Sequence, residues 1–315
     1  MSRLRQGGQY DLVGGGKEGW KLKTVFIGSV ELSKAALETL FELGIRVDLV
    51  CSLDESASSN VCDYAQLHIL AERMNVPFIR FTKVNELKEN IRKIMPDFLF
   101  AIGISQMIPK EILDSAKCTV GFHPTALPKH RGRAPIPWMI LLHEPNPMIT
   151  LFLMDEGMDS GYIIHQEPYI IGQDDHATEV YKSVCSAIKR GLRECVPALY
   201  SNRAVFTPQN HEDATYTLIR RPEDGKIDWH EDAMAIYDLI RAAAPPYPGA
   251  FTTYEGEKII IKRASVEVNH NVTGIPGQIY KVVNGMVYIC TKSNYFIVLR
   301  DYSPEVRFTA GRKFV

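Results

Sequence analysis

The sequence predicts an α/β protein with a Rossmann-like, mostly parallel sheet and a smaller, mainly β C-terminal domain that resembles an open barrel. Two observations predict this arrangement. Up to about residue 200, short β-branched and aromatic runs alternate with segments of helical periodicity, which is typical of parallel strands joined by right-handed helical crossovers. After Phe251 the chain has only short alternating runs split by Gly and Asn turns, which indicates a small barrel or sandwich.

The N-terminal elements follow one another in regular alternation. Residues 24–27 form the first predicted strand, and apolar residues from Leu32 to Phe41 recur at helical spacing. The later predicted strands cover residues 47–50, 77–79, 98–102, 119–120 and 149–153, and the predicted helices cover residues 63–74, 84–95 and 177–200. Ligands of such sheets bind beyond the carboxyl ends of the strands. We therefore expect the segments after Ile102 and Val120 to carry the functional site.

The chain is expected to divide into three segments, a leader and two domains. Residues 1–22 contain glycine pairs and no apolar periodicity, which predicts a flexible leader. Residues 23–205 form the predicted α/β domain. Residues 206–315 form the predicted small β domain, with one helix at 232–244 and short strands at 258–261, 278–280, 286–289 and 296–299.

Composition and charge narrow the range of partners. The chain has 36 Lys and Arg against 37 Asp and Glu, so no global positive field attracts a nucleic acid. No run reaches the ~20 apolar residues of a membrane helix. Six cysteines without CxxC spacing indicate buried thiols in a reducing compartment, and no metal motif is found. The sequence predicts a cytoplasmic protein that needs no metal and contacts no membrane.

A loop crowded with Pro, Gly and basic residues covers residues 121–135, with His123 near its start. Asp159 lies in a second, acidic and glycine-punctuated loop, after the predicted strand at 149–153. A histidine titrates near neutral pH, and a nearby carboxylate can orient the ring or stabilise its protonated form. The pair therefore predicts a proton-transfer site. Composition alone leaves open that His123 is a satisfied core histidine and that Asp155 and Asp159 only cap turns.

Both loops resemble the signature of the folate-dependent formyltransferases. The resemblance rests on the stretch HPTALPKHRGRAP, which begins at His123, and on MDEGMDSG, which begins at Met154, and it covers residues 23–260. This family includes methionyl-tRNA formyltransferase, glycinamide ribonucleotide transformylase and the formyltransferases of amino sugar nucleotides. The resemblance implies a formyltransferase fold, a one-carbon transfer from 10-formyltetrahydrofolate to an amine, and catalytic roles for His123 and Asp159.

The chain departs from the family pattern at Gly121. The family has an Asn-x-His stretch here, and its Asn amide supports the oxyanion of the tetrahedral intermediate, an interaction worth ~3 kcal/mol at a comparable acyl-transfer site. His123 itself, a backbone N–H, a held water, Ser105, Gln106 or Thr125 could replace that donor. The alternative is a family member whose activity is lost or altered, such as a protein that only binds folate or a nucleotide sugar.

The donor site is also expected from the resemblance. Ser105, Gln106 and Met107 follow a predicted strand and resemble the stretch whose main chain bonds the pterin ring in the family. The second loop, with Asp155 and Gly157, would close the other edge of the pterin site. An ordinary loop between a strand and a helix is the alternative interpretation of residues 105–107.

The acceptor is expected to be a nucleotide-linked amino sugar. The segment around Arg220 and Arg221 resembles the domain linker of formyltransferases that act on such sugars, and adjacent arginines can bind a diphosphate bidentately. Thr125, Arg131 and Arg133 in the first loop are further predicted substrate ligands. A solvated charge cluster is the alternative for Arg220 and Arg221. Methionyl-tRNA is the alternative acceptor, and a homodimer is expected by analogy.

Overall fold

The computed structural model describes residues 22–59 and 61–315. The predicted leader over residues 1–22 lies almost entirely outside the described residues. The chain divides into two compact units. The first unit contains the chain as far as Pro135 together with residues 146–169 and 183–217, and the second unit contains residues 136–145, 170–182 and 218–315.

The first unit is built on a seven-stranded sheet. Its chain forms β1 (Thr24–Ile27), β2 (Leu49–Leu53), β3 (Phe78–Phe81), β4 (Phe98–Ala101), β5 (Cys118–His123), β6 (Arg131–Gly132), β7 (Met148–Leu153), β8 (Ile163–Pro168) and β9 (Tyr216–Thr217). The sheet order is β3-β2-β1-β4-β5-β7-β8, while β6 and β9 pair with each other. Strands β1 to β5 run parallel, and β7 is antiparallel to both β5 and β8. The predicted mostly parallel sheet is confirmed.

Helices alternate with these strands along the chain. They are α1 (Glu31–Glu42), α2 (Leu67–Arg73), α3 (Lys88–Ile94), α4 (Lys110–Leu113), α5 (Pro135–Leu141) and α6 (Ala177–Tyr200). The helix predicted over residues 63–74 begins only at Leu67, because the preceding backbone pairs with the turn after β1. There the N–H of Ala65 donates to the carbonyl of Ser29 at 2.9 Å. Tertiary hydrogen bonds thus replace the first helical turn.

The central strands are buried on both faces, which explains their continuous apolar sequences. Every residue of β1 and β4 is buried. One core cluster joins apolar residues of these strands to buried residues of the α3 and α4 region, including Leu87, Ile91 and Ile112. This packing makes the sheet a rigid support for the loops at the carboxyl ends of its strands.

Besides most of α5 and the start of α6, the second unit contains a separate antiparallel sheet and a further helix. These elements are α7 (Ala233–Ala243), β10 (Ala250–Tyr254), β11 (Glu257–Val268), β12 (Ile279–Val283), β13 (Met286–Cys290) and β14 (Tyr295–Ser303). The strand order is β10-β11-β14-β13-β12, with every pair antiparallel. Buried residues of α7, such as Ile236 and Ile240, pack with Trp229 and Phe314 in one core. The predicted mainly β C-terminal domain is confirmed.

Strand β5 ends at His123, so this residue lies at the carboxyl end of a parallel strand. The functional site was expected at this end of the strands. Its neighbour β7 runs in the opposite direction, with Gly121 paired to Phe152 and His123 paired to Thr150. The loop after β7 therefore starts beside the beginning of β5 and must travel back along the strand to reach His123. Among the described helices, none combines the length and apolar character of a membrane span.

Candidate active site

His123 is a buried histidine with a different oxygen on each side of its ring. Only 5% of the residue is exposed. Its Nε2 lies 2.8 Å from the carbonyl oxygen of His130, and its Nδ1 lies 3.5 Å from Oδ2 of Asp159. A carbonyl oxygen can only accept, so the neutral ring donates its Nε2–H to His130 and carries its lone pair on Nδ1. The basic nitrogen therefore faces the carboxylate.

Burial determines the charge of this ring. Loss of hydration lowers the pKa of His123 below its usual value, while the Asp159 carboxylate and the bond to the His130 carbonyl act to raise the pKa. The effect of burial is the largest. His123 is therefore neutral at neutral pH, which is the state that a general base requires.

The backbone of the first loop fixes the Asp159 carboxylate. The N–H of Gly132 donates to Oδ2 of Asp159 at 2.9 Å. Gly132 has a φ of 110°, and a Cβ added there would lie 2.5 Å from the carbonyl oxygen of Thr217. Only glycine fits at this position. Asp159 has a φ of 49°, in the left-handed region, so its carboxylate position depends on an unusual backbone conformation.

The second loop braces itself with short-range hydrogen bonds. Oδ1 of Asp155 accepts from the N–H of Gly157 at 3.0 Å and from the hydroxyl of Ser160 at 2.7 Å. A Cβ on Gly161 would lie only 1.7 Å from the carbonyl oxygen of Leu153. Asp155 therefore holds the turn of its own loop, and Gly161 permits the close return of the chain. The predicted contact of Asp155 and Gly157 with the pterin stays a prediction.

The space beside Gly121 is filled by its neighbours. A Cβ added to Gly121 would lie 2.6 Å from Cγ of Met154 and 2.8 Å from Cζ of Phe152. Both distances are shorter than real Cβ contacts. An asparagine side chain therefore has no room here while these two side chains keep their positions.

Two of the side chains predicted as replacement donors already have partners. The hydroxyl of Thr125 is buried and donates to the carbonyl of Lys129 at 2.8 Å. The amide of Gln106 donates to the carbonyl of Thr82 at 2.9 Å and accepts from the N–H of Val84 at 2.8 Å. Ser105 is exposed. Among the predicted replacement donors other than His123, it is therefore the accessible side chain.

The predicted ligand residues lie in different environments. Met107 is 72% exposed, and Arg133 is exposed while donating to the carbonyl of Ser105 at 3.0 Å. Arg131 is only 2% exposed, and its guanidinium donates to Oε1 of Gln209 at 2.6 Å. Its contacts are thus internal to the first unit. The substrate-binding roles of Arg131, Arg133 and Thr125 stay predictions.

Arg220 and Arg221 belong to the second unit. The Arg220 guanidinium lies over the Trp138 ring, 5.1 Å from its centroid, and donates to the carbonyl of Asp224 at 2.9 Å. Arg221 is exposed. The partners of Arg220 are thus an aromatic ring and a carbonyl oxygen. The Asp224 carboxylate accepts from the N–H of Arg221 at 2.6 Å and acts to raise the pKa of Arg220.

Sequence reasoning did not identify Gln209. Its amide nitrogen donates to the carbonyls of Asp159 and Gly161 at 2.9 and 2.6 Å. These partners are 50 and 48 residues away in the chain, and no local pattern marks a residue whose contacts are so distant. Gln209 nevertheless contacts the loop that carries Asp159.

The described part of the chain contains His, Cys, Asp and Glu side chains that are potential metal ligands, and two of its buried thiols have shifted pKa values. No three His, Cys, Asp or Glu side chains of residues 22–59 and 61–315 converge to hold a metal ion. Burial raises the pKa of both Cys51 and Cys118 to about 12, so neither thiol ionises appreciably at neutral pH.

A polar cavity of about 480 Å³ lies within the second unit. Arg263 and Arg300 are among its lining residues. Their guanidinium groups are bonded to Glu179 and Glu267, respectively, at 3.0 and 2.9 Å. The arginine charges are thus neutralised by carboxylates of the protein, which does not favour this cavity as the site for an anionic substrate.

Family models identify the chain. The formyl transferase model matches residues 61–196, and the model of the formyl transferase C-terminal domain matches residues 220–309. The chain belongs to the formyl transferase family. It is therefore a formyltransferase, and the predicted family is confirmed.

One similar protein is the methionyl-tRNA formyltransferase of Alkaliphilus oremlandii, with 29% identity over 301 residues, 93% of this chain and 94% of that protein. Two solved structures share the fold. HypX from Aquifex aeolicus has a TM-score of 0.67 and 17% identity over 89% of this chain, which spans only 44% of HypX. The Helicobacter canadensis N-formyltransferase, in complex with folinic acid and dTDP-3-aminofucose, has a TM-score of 0.63 and 18% identity over 89% of this chain and 99% of that one.

The filled space beside Gly121 generates a prediction. Gly121→Asn is expected to lower the free energy of unfolding by about 1–3 kcal/mol, because the new side chain overpacks a site occupied by Phe152 and Met154. It is not expected to raise turnover. Urea unfolding and a formyl-transfer assay measure both effects.

Gly44→Asn is the matched control. Gly44 follows α1 with a φ of 73° and has nothing within 4 Å of an added Cβ, and Asn is tolerated at such helix ends. Unchanged stability together with faster turnover in Gly121→Asn would show that the position can still accept the family's amide.

Proposed function

We propose that this formyltransferase moves a formyl group from 10-formyltetrahydrofolate to the amine of a nucleotide-linked amino sugar. The observation that carries the proposal is the buried, neutral His123 with its basic nitrogen facing Asp159. Membership of the formyl transferase family supports the reaction. The folate bound by the Helicobacter canadensis enzyme supports the donor.

The chemistry requires one proton acceptor at the attacking amine. The amine nitrogen bonds to the formyl carbon, and the carbonyl oxygen becomes an oxyanion in a tetrahedral intermediate. His123 accepts the amine proton on Nδ1, the nitrogen that its bond to His130 leaves unprotonated. The oxyanion then re-forms the carbonyl as the bond from the formyl carbon to the folate nitrogen breaks, and the protonated His123 gives its proton to that nitrogen. The products are a formamide and tetrahydrofolate.

Asp159 acts on the charged form of His123. Once Nδ1 holds a proton, the ring is a cation 3.5 Å from the carboxylate in a site with little water. The attraction between them offsets part of the unfavourable effect of lost hydration on the charged ring. Because Gly132 also donates to the same carboxylate oxygen, the negative charge stays beside the ring during proton transfer. Asp159 thereby assists the base without accepting the proton itself.

The donor is proposed to bind between two loops of the first unit. Ser105, Gln106 and Met107 form one edge and Asp155 and Gly157 the other. The side chains of Gln106 and Asp155 bond to backbone groups of the protein, so they shape the loops. Main-chain groups of these segments are then the ones available to recognise the pterin. The oxyanion donor is proposed to be Ser105, the protonated ring, a backbone N–H or a held water.

The acceptor is proposed from the charge distribution. The chain carries a net charge of −1, whereas Arg220 and Arg221 place two cations next to each other in the chain, with the Asp224 carboxylate acting on Arg220. A diphosphate needs a local pair of this kind, and a transfer RNA needs an extended basic surface. A cytoplasmic location and a homodimer stay predictions.

A second acceptor has direct support from one similar protein. The relative with 29% identity is a methionyl-tRNA formyltransferase that matches this chain over nearly its full length. Methionyl-tRNA is therefore the alternative acceptor. The glycine at position 121 favours a third candidate, a family member that retains binding but has altered catalysis.

A substrate panel tests the proposed function. Purified protein with 10-formyltetrahydrofolate is expected to formylate at least one nucleotide 3-amino or 4-amino sugar, with Arg220→Ala raising the KM for the sugar more than it lowers kcat. Folate absorbance and product mass follow the reaction. Turnover of charged initiator tRNA alone would replace the sugar with the tRNA, and binding without turnover would support the altered member.

His123→Ala and Asp159→Ala test the assigned chemistry. Each is expected to reduce kcat by at least ~100-fold, because each removes part of the general acid–base assistance. Circular dichroism and thermal unfolding check that the fold is intact, and the exposed Met107→Ala in the proposed donor site serves as a comparison for binding effects. A near-normal rate in His123→Ala would rule out the ring as the base.

The charge state of His123 predicts a pH dependence. Burial lowers the pKa of His123, so the acid limb of the kcat/KM profile is expected below the usual histidine value of about 6.5. The Asp159 carboxylate raises the pKa of His123. Asp159→Asn is therefore expected to move the acid limb to still lower pH while lowering the plateau. Ionisation of the amine substrate affects the wild-type and Asp159→Asn profiles equally. The difference between the two profiles therefore reports the pKa of a group on the enzyme. An acid limb that moves to higher pH would contradict this assignment.

A further inference from the structure

Gln209 lies in the segment formed by residues 207–217, which runs beside both loops of the site. The first residue of this segment, Thr207, forms two backbone hydrogen bonds with Ile163, at 2.8 and 2.9 Å. The last two residues form β9, which pairs with β6. Gln209 is 6% exposed. Its side chain therefore makes its contacts inside the first unit.

The Gln209 amide uses its full hydrogen-bonding capacity. Its nitrogen has two hydrogens and donates to the carbonyls of Asp159 and Gly161 at 2.9 and 2.6 Å. Its oxygen accepts from Nε and Nη2 of Arg131 at 3.2 and 2.6 Å. A flipped amide would place hydrogens against the guanidinium and the oxygen against two carbonyls. The orientation of the amide is thus fixed by its partners.

Other side chains satisfy only part of this arrangement. A glutamate in place of Gln209 could accept from Arg131, but its second oxygen would face the carbonyls of Asp159 and Gly161 with no hydrogen to donate. A methionine has a similar length and offers neither the donors nor the acceptor. These two replacements therefore separate the contact with Arg131 from the contact with the second loop.

The contact with Asp159 bears on the position of its carboxylate. Gln209 holds the carbonyl of Asp159 and the carbonyl of Gly161 two residues later. The φ of 49° at Asp159 directs its side chain toward Gly132 and His123. Left-handed backbone persists in a non-glycine residue only where the surroundings hold it. Gln209 supplies two of the bonds that do so.

The same segment also holds the other partner of His123. The N–H of His130 donates to Oγ1 of Thr215 at 2.9 Å, and the N–H of Arg131 donates to the carbonyl of Thr215 at 2.9 Å. These bonds fix the peptide whose carbonyl accepts from Nε2 of His123. Residues 207–217 thus anchor both of the oxygens that flank the ring.

We propose that Gln209 is a positioning residue for proton transfer, because it holds the Asp159 backbone in the conformation that keeps the carboxylate beside Nδ1 of His123. This role rests on the proposed function, in which His123 accepts the amine proton. Gln209 does not touch substrate in this role. It acts through Asp159, and displacement of a catalytic group by about 1 Å is enough to cost ~100-fold in rate.

Two variants test the role. Gln209→Glu keeps an acceptor for Arg131 and loses the donors to the second loop, and Gln209→Met removes both. In both, kcat is expected to fall about 30- to 100-fold while the KM values change less than about threefold. The melting temperature of Gln209→Glu is expected to fall less than that of Gln209→Met, because the carboxylate keeps an acceptor for Arg131. Circular dichroism at the assay temperature confirms the folded fraction, so Gln209→Glu reports on positioning even if Gln209→Met fails to fold.

The titration of His123 supplies a readout that a merely structural role would not move. Asp159 and His130 are the titratable groups whose charges act on this ring. Release of the Asp159 carboxylate in Gln209→Met is expected to lower the pKa of His123, because the carboxylate raises that pKa. The ring Cε1–H signal, assigned by its loss in His123→Ala, follows the titration by NMR without any substrate.

Gln278→Leu is the matched control. Gln278 also bonds backbone groups through its amide, at Ile275 and Gly311, but it lies in the second unit. It is expected to change neither kcat nor the titration of His123. Unchanged kcat in Gln209→Glu, or an unchanged His123 titration in a folded Gln209→Met, would overturn the positioning role. A wild-type protein that formylates no amine would overturn the proposed function, while the NMR titration would still decide whether Gln209 positions Asp159.

Discussion

The candidate site of the first unit is built around the buried imidazole of His123, whose two ring nitrogens face two different oxygens. The His130 carbonyl accepts the Nε2–H of His123 and fixes its tautomer, and the Asp159 carboxylate stands 3.5 Å from Nδ1. Without the carboxylate, a proton on this ring would be a buried and uncompensated charge. Without burial, the carboxylate would favour the protonated ring. The two effects oppose each other, and the proposed base depends on both, because it must be neutral at rest and stabilised once it is charged.

Backbone conformation, more than side-chain packing, sets the distance between these groups. Gly132 brings its N–H to the carboxylate with a φ that only glycine adopts easily, and Gly161 lets the chain pass against the carbonyl of Leu153. Asp159 itself has a left-handed φ. Three special backbone positions therefore lie within or beside the pair formed by His123 and Asp159. Their cost is offset by the rigid sheet below and by hydrogen bonds such as those of Gln209.

The sequence allowed prediction of the fold class, most strands and helices, and the loops that meet at His123. Apolar periodicity indicates burial, and Gly and Pro indicate turns. Both signals come from residues that are close together in the chain. The antiparallel direction of β7 beside β5 depends on residues that are distant in the chain. Parallel strands alone would therefore not have predicted that the loop after β7 brings Asp159 beside His123. The role of Gln209 was not predicted for the same reason, because its partners are distant in the chain. The helix expected to begin at Asp63 was shortened by backbone pairing of Ala65 with Ser29.

The filled space at Gly121 changes the meaning of the missing asparagine. A lost side chain in a buried strand would leave a cavity, which costs stability in proportion to its volume. Here Phe152 and Met154 lie within contact of any added Cβ, so the strand pair is packed around glycine. The surrounding groups nevertheless keep the His123 tautomer, the Asp159 carboxylate and its Gly132 donor in place. The groups proposed for proton transfer are therefore all in place without the amide. In the proposed reaction, stabilisation of the oxyanion therefore comes from a group other than a side chain at position 121.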